Sequence, residues 1–241
     1  KSMKEHAYQI FNKKYEATVG VNRADIEDGN LAHYRTMAAQ MADEVERFFN
    51  QSIADLLVQG FGAEGLCYDG QRFFDTAHPV YPNEDGTGEA VDTSNIIGTG
   101  AETGSPWALL SLSGTLKPFI LQQRLPPEFD AITDTKTDVV FSEDKYLYGI
   151  RYRGSFGYGL WQQAVGSKGA LTETAYAAAR LRMQTFKRDG NVPVGMMPTH
   201  LVVSPENEAA ARAILNRELI DGGDSNPYFH TAELIVCPWL G

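Results

Sequence analysis

Cysteine is nearly absent from this chain, with only Cys67 and Cys237 among 241 residues. The two stand far apart, so no disulfide framework is implied, and two thiols suit a reducing compartment. A basic surplus is missing as well: the formal net charge is −10 and the pI is about 5.0. Proteins that grip nucleic acid by its phosphates carry an excess of Lys and Arg, so any contact with DNA is expected to be weak, indirect or local. No apolar run approaches the roughly 18 residues of a membrane span, and no signal-peptide pattern is visible. What is present is the mix of an ordinary globular protein, 43% hydrophobic and 22% charged. Its length suits one or two domains with a core that needs neither disulfide nor metal.

Residues 8–21, YQIFNKKYEATVGV, alternate partly between apolar and polar and read as a strand. The turn-like NRADIEDGN follows, with Asn30 as a helix N-cap. Leu31, Tyr34, Ala38, Met41, Val45 and Phe48 then recur at spacings of three and four, and Ile53, Leu56 and Leu57 continue the stripe. Arg35, Gln40, Asp43, Glu44, Glu46 and Arg47 occupy the other face, so this is an amphipathic helix of roughly thirty residues, about 45 Å long. Gly60 is its stop. The polar, Gly-rich segment 83–106 has the composition of a long exposed loop. Residues 107–165 are strand-rich. KPFILQQR is one candidate strand, and KYLYGIRYRGSFGYGLWQQAVG holds one or two more. Alternation puts Tyr146, Tyr148, Ile150 and Tyr152 on one face, with Arg151 and Arg153 on the other.

The last third reads helix, strand, helix, strand. Thr172 opens a helix with a stripe of Ala175, Tyr176, Ala179, Met183 and Phe186, ended by Gly190. His200–Val203 is a strand. Ser204-Pro205-Glu206 supplies an N-cap, a first-turn proline and an acid for a helix to about Leu219, and LIVC at 234–237 is the last strand.

The stretch richest in chemistry is LCYDGQRFFDTAHPVYPN, residues 66–83. Cys67 with His78 has the composition of a thiolate–imidazole pair, and Asp69, Asp75 and His78 that of a metal set, but none stands at a ligand spacing. The plainer reading is a turn-rich segment, with Asp69-Gly70 as a turn, His78-Pro79 extended, and Phe73, Phe74 and Tyr81 as packing anchors. Other motifs fall short in the same way. The acidic loop lacks the alternating ligands of a calcium-binding EF-hand. RGSFGYG at 153–159 resembles an RNA-stacking strand only superficially. SPE at 204–206 would repel a phosphate at the helix start, and Ser204 near His200 has no nucleophile elbow around it. His6, His33 and His230 have no visible partners. Residue chemistry alone ends on an α+β protein with a long helix, a protruding N-terminal strand and no convincing active site.

A set of segments goes further. YEATVGVNRADIEDGNL (15–31), CYDGQRFFDTAHPVYPN (67–83), LKPFILQQR (116–124), FGYGLWQQAVGSKG (156–169), PTHLVVSP (198–205), ILNRELI (214–220) and AELIVCPWL (232–240) stand in an order that resembles the Mu-like phage major head subunit family, the gpT-type major capsid proteins. They span nearly the whole chain. A strand, the acidic turn Arg23 to Asp28 and a long helix also resemble the wider HK97-type capsid class.

The resemblance implies a non-enzymatic shell protein of α+β, HK97-like fold, with no catalytic residue, cofactor or metal. Residues 1–28 would be the returning strand of an extended loop and its linker, and 29–65 the spine helix of a peripheral domain. Residues 66–170 would span peripheral and axial domains, with 171–241 axial. It implies an N-terminal arm and an outgoing half of that loop ahead of Lys1. Copies of the chain would associate into hexamers and pentamers of an icosahedral shell in the virion, assembled in the bacterial cytoplasm. The shell would enclose DNA without gripping it tightly. A scaffold or maturation protease and a portal are the further partners, and no membrane is involved. Arg23, Asp25, Glu27 and Asp28, at the loop base, are candidates for setting the register between neighbours, since complementary charges specify more than they bind. The alternatives are an encapsulin-like, non-viral shell and a small Cys/His hydrolase or metalloenzyme built on Cys67, Asp69, Asp75 and His78.

Overall fold

The computed structural model describes residues 9–29, 31–220 and 222–241. Tyr8, His6 and the Asn30 cap lie outside them, as do the side chains of Leu31, His33, Arg35 and Ala38; residues 9–12, expected within the first strand, precede it. In chain order the elements are β1 (Lys13–Asn22), α1 (Arg23–Glu27), α2 (Leu31–Gln59), β2 (His78–Val80), β3 (Val91–Thr93), β4 (Trp107–Leu110), β5 (Phe119–Ile132), α3 (Asp138–Glu143), β6 (Lys145–Tyr158), β7 (Ala164–Ser167), α4 (Glu173–Thr185), β8 (Lys187–Arg188), β9 (Val192–Pro193), β10 (His200–Val203), α5 (Glu208–Leu215) and β11 (Glu233–Val236). The chain divides into two compact units, each discontinuous in sequence.

One unit comprises residues 9–52 and 121–157. Its sheet has the order β1-β6-β5. β1 and β6 are antiparallel, from Lys13 opposite Gly154 to Asn22 opposite Lys145. Both are rich in β-branched and aromatic residues, which suits a half-buried pleated surface. Tyr15 and Tyr152 are cross-strand partners, and Phe48 of α2 packs against both rings, at 4.7 and 6.1 Å. Phe49 meets Tyr152 edge-on at 5.1 Å. The periodic face of α2 thus covers one face of the sheet. The other face, with Lys14, Glu16 and Thr18, is exposed. β5 runs on through Pro126 and Pro127, eight residues past the segment that the sequence marks as a strand. It is an edge strand, the one place where a proline's missing N–H costs no ladder bond. Residues 23–27, expected as a turn, form a short helix, with Gly29 at φ +78° behind it.

The other unit contains residues 53–120 and 158–241. Its four-stranded sheet has the order β11-β10-β4-β7. β10 and β11 are parallel and the remaining pairs antiparallel. β4 and β7 are buried along their whole length, which is why WALL reads as a continuous apolar run rather than an alternation. Helices α4 and α5 pack on β7 and on β10–β11. Phe61 and Phe74 stack at 4.4 Å and lie so close to β7 that a Cβ on Gly166 would stand 2.7 Å from both rings. Only glycine permits that approach. Tyr158 donates its hydroxyl to Leu56 O at 2.8 Å and stacks on Phe73 at 4.7 Å.

Asn95 sits at the centre of this unit, fully buried. Its Nδ2 donates to Phe73 O at 2.7 Å and Ala164 O at 3.3 Å, and its Oδ1 accepts from the Asp75 amide at 2.9 Å. The Asn95 carbonyl in turn accepts from Gly166 N, so segment 83–106 is anchored in the core at its middle.

Three further sequence expectations need correction. The first of the two C-terminal helices ends at Thr185 rather than Gly190. Gly190 (φ +82°) and Asn191 (φ +58°) make the β8–β9 hairpin turn instead, a role for residues that tolerate positive φ. The last helix stops at Leu215, four residues early. Ser204 stands at the N-cap of a 3₁₀ turn, Pro205–Asn207, but makes no capping bond with its side chain. Thr172 does cap, accepting from Ala175 N at 3.1 Å.

Candidate functional site

The stretch 66–83 folds as a turn-rich segment anchored by a few buried side chains. Gly70, at φ +82°, closes an Asp-Gly turn with its N–H on Cys67 O, and Asp69 Oδ1 accepts from Gln71 N at 3.1 Å. Phe73 and Phe74 are wholly buried. His78, 0% exposed, stacks face to face on Trp161 at 4.2 Å with its plane 9° off parallel. Its Nδ1 lies 2.6 Å from Asp69 Oδ2. The structure therefore brings Asp69 and His78 together.

It does not assemble the rest. Asp75 Oδ1 is turned to the backbone, accepting from Thr76 N and Ala77 N at 2.7 and 3.1 Å. Cys67 donates its S–H to Gly159 O at 3.5 Å, not to an imidazole. Burial, reinforced by the nearby Asp69 charge, pushes the Cys67 thiol up to about 12. A nucleophilic cysteine needs the opposite shift. Among the described residues, no group of three or more His, Cys, Asp or Glu is arranged to hold a metal ion.

A thiol titration checks this environment. At pH 8, Cys67 is expected to react with a disulfide reagent at least about tenfold more slowly than a free thiol, and to become fully reactive on unfolding. Because the folded pKa is raised, the stability from the neutral buried thiol is complete below about pH 9, where an unfolded thiol titrates, and is lost as pH rises toward 12. A native Cys67 that reacts as fast as a free thiol would overturn the reading and revive the Cys/His alternative.

The remaining motifs resolve as structure. His200 contacts Thr199 Oγ1 at 2.8 Å and Glu233 at 3.2 Å, while Ser204 Oγ accepts from Asn207 at 3.4 Å, so the two are not joined. Of the two rings in RGSFGYG, Tyr158 is buried against Phe73 and Phe156 packs on Phe48, so neither is displayed for stacking. In the acidic loop, Glu102 accepts from Thr99 N and Gly100 N, and those bonds hold its pKa below the usual carboxylate range. Asp85 likewise accepts from Thr87. An apolar groove of about 950 Å³ runs between β1 and α2, lined by Tyr15, Met37, Met41, Val45 and Phe48. Its rim charges pair with each other, Lys14 with Glu16 and Arg47 with Glu44.

The four charges at the base of β1 lie on or beside α1. Arg23 Nε donates to Glu27 at 2.7 Å, and that bond raises the Arg23 pKa. Asp25 accepts from the Tyr34 hydroxyl at 2.6 Å. Asp28 is exposed at the C-cap. The Arg23 amide donates to Asp144 O, so α1 lies beside the turn that carries α3. Sequence reasoning missed that neighbour, because the only signal for it is the pairing of β1 with β6.

With the geometry in hand, comparison with known proteins is direct. Residues 1–240 match the family model described as the Mu-like prophage major head subunit gpT. The major capsid protein of Escherichia phage Mu is 42% identical over 241 residues, covering 99% of this chain and 78% of that protein. The Mu-like prophage FluMu major head subunit of Haemophilus influenzae is 38% identical over 220 residues, covering 90% and 70%. Among solved structures, a chain of the bacteriophage JBD30 procapsid superposes with a TM-score of 0.83 at 39% identity, covering 97% of this chain and 77% of that one. A chain of the JBD30 capsid superposes with a TM-score of 0.85 at 25% identity and the same coverage. The α+β, HK97-like capsid fold expected from the sequence is the fold found. This chain belongs to the Mu-like phage major capsid proteins, the family of the prophage major head subunit gpT.

Proposed function

We propose that the chain works as a shell-building subunit: copies associate into hexameric and pentameric rings, and the rings close an icosahedral head around DNA. The observation that carries this is the likeness along 97% of the chain to subunits in assembled JBD30 heads. Identical chains with two different complementary patches form rings when the rotation closes, and many modest contacts add up to a stable shell. The subunit is built in the host cytoplasm and resides in the virion, with a scaffold or maturation protease and a portal as its other partners. The net charge of −10 favours containment of DNA over gripping it.

The two-unit division supports an assignment of residues 9–52 and 121–157 to the peripheral domain and of 53–120 and 158–241 to the axial domain. β1 is then the returning strand of the extended loop and α2 the spine helix. Electron microscopy with sedimentation tests the proposal. Rings or closed particles of defined diameter are expected, and a chain that stays monomeric at every concentration, salt and scaffold condition sinks it. Of the four charges at the base of β1, Arg23 and Glu27 pair with each other and Asp25 holds Tyr34, so Asp28 is the one left turned outward. Asp28→Lys is expected to cut assembled particles several-fold while the thermal melt stays within about 0.5 kcal/mol of the parent. Particles formed at the parental rate would remove Asp28 from the contact.

A further inference from the structure

The sheet of the 9–52/121–157 unit is electrically lopsided along its strands. On its exposed face, Lys14 stands directly opposite Arg153, and Glu16 opposite Arg151. Gln122 of β5 donates to Asn12 Oδ1 at 3.0 Å. Arg124, two residues further along this edge strand, is exposed, and lies at the same end of the sheet as Lys14 and Arg153. Three cations, one on each strand, therefore gather at this end of the sheet. Like charges directly opposite each other destabilise a sheet. Lys14 is paired with Glu16. Among the described residues, Arg124, Arg151 and Arg153 make no ion pair and no side-chain hydrogen bond.

The other end of the same sheet is acidic and carries an apolar knob. The β5–β6 connection holds Asp134, Asp138, Glu143 and Asp144 against Lys136, and α1 with Glu27 and Asp28 lies beside it. From the middle of this turn projects Phe141, 84% exposed. A chain cannot bring its own turn to its own arginines. Arg124 is eight residues from the end of β5 at Ile132, which at about 3.3 Å per residue is about 26 Å of rigid strand.

We infer that the arginine cluster of one copy receives the α3 turn of a second copy. Asp138 and Glu143 would pair with the free guanidiniums while Phe141 stacks on one of them. Arg suits this site because its planar group takes a carboxylate through two parallel N–H donors and also packs on an aromatic face. Donor and acceptor patches differ and sit at opposite ends of one unit, so the contact runs head to tail. It rests on the shell-subunit reading and names a contact within it.

The test compares particle yield by sedimentation and electron microscopy for the unmodified chain, Arg124→Glu with Arg153→Glu, Asp138→Arg with Glu143→Arg, Phe141→Ser, and the two charge-reversed pairs combined in one chain. Arg124, Asp138, Phe141 and Glu143 are exposed and Arg153 is half-buried, so each variant is first matched to the parent by circular dichroism and melting. Each reversed pair is expected to lower particle yield at least about tenfold, Phe141→Ser to lower it several-fold, and the combined chain to recover most of the loss, since both partners are then swapped. Normal particles from either reversed pair overturn the inference. So does a combined chain that fails to recover, or an arginine variant that assembles normally but no longer retains DNA, which would give the cluster to nucleic acid. Parental particles in the same experiment keep the shell-subunit reading standing whichever way the variants fall.

Discussion

Asn95→Ala is expected to destabilise the subunit by about 3–5 kcal/mol, a large part of the roughly 5–15 kcal/mol that holds an ordinary domain folded. The side chain is fully buried, donates to the carbonyls of Phe73 and Ala164, and accepts from the Asp75 amide. Alanine leaves three backbone groups without partners in a place water does not reach, at about 1–3 kcal/mol for each group left unpaired. It also frees the segment around residue 95, which is held to β7 through Gly166 and Ile97. Denaturant melts give the number. Asn95→Asp keeps the Oδ1 acceptor but loses both donors and buries a carboxylate, so it should be at least as damaging. A loss below about 1 kcal/mol for alanine would mean that the segment is anchored by its apolar neighbours rather than by the amide.

Asp69→Ala is expected to cost about 3 kcal/mol, or some 6–12 °C in melting temperature for a domain of this size. His78 is sealed between Trp161 and Asp69, and its Nε2 has no hydrogen-bond partner among the described residues. Removing the carboxylate leaves both ring nitrogens orphaned. Asp69→Asn retains an acceptor at the same place and should lose less than half as much. That ordering separates a structural pair from a catalytic one. A catalytic pair predicts unchanged melting in both variants and a lost activity; the structural pair predicts the graded loss of stability. Equal stability of parent and Asp69→Ala would return the stretch 66–83 to the list of candidate active sites.

Helix α2 was legible from its spacing alone, and its limits at Leu31 and Gln59 match the sequence reading, because twenty-nine residues of 3.6-fold periodicity outweigh local ambiguity. The long β5 was half legible. Pro126 and Pro127 hide its second half, and only its place at the sheet edge, a long-range fact, makes them tolerable. The segment 83–106 was misjudged for a related reason. Its composition is that of a loop, yet Asn95 within it is a core residue whose polarity is what lets it tie three backbone segments together. In the candidate site, sequence supplied the right residues but not the partners: Asp69 and His78 stand only nine positions apart, but the Trp161 ring that seals them in comes from a segment far along the chain. Resemblance along the whole chain, rather than any single motif, identified the family.

The interleaved order of the two units has a consequence for synthesis. The 9–52/121–157 unit has all its residues once Gly157 has been made, and β1 must wait for β6 before it has any ladder partner. The four-stranded sheet waits much longer. β4 pairs with β7 soon after, but the strand on its other side, β10, and the edge strand β11 end at Val203 and Val236. At ribosomal speeds of about 5–20 residues per second, several seconds separate the emergence of the apolar WALL strand from that of its final cover. During that interval the nascent chain carries an unfinished apolar sheet, so a ribosome-bound chaperone acting between residues 110 and 236 would have more influence on the yield of subunits than one acting after release.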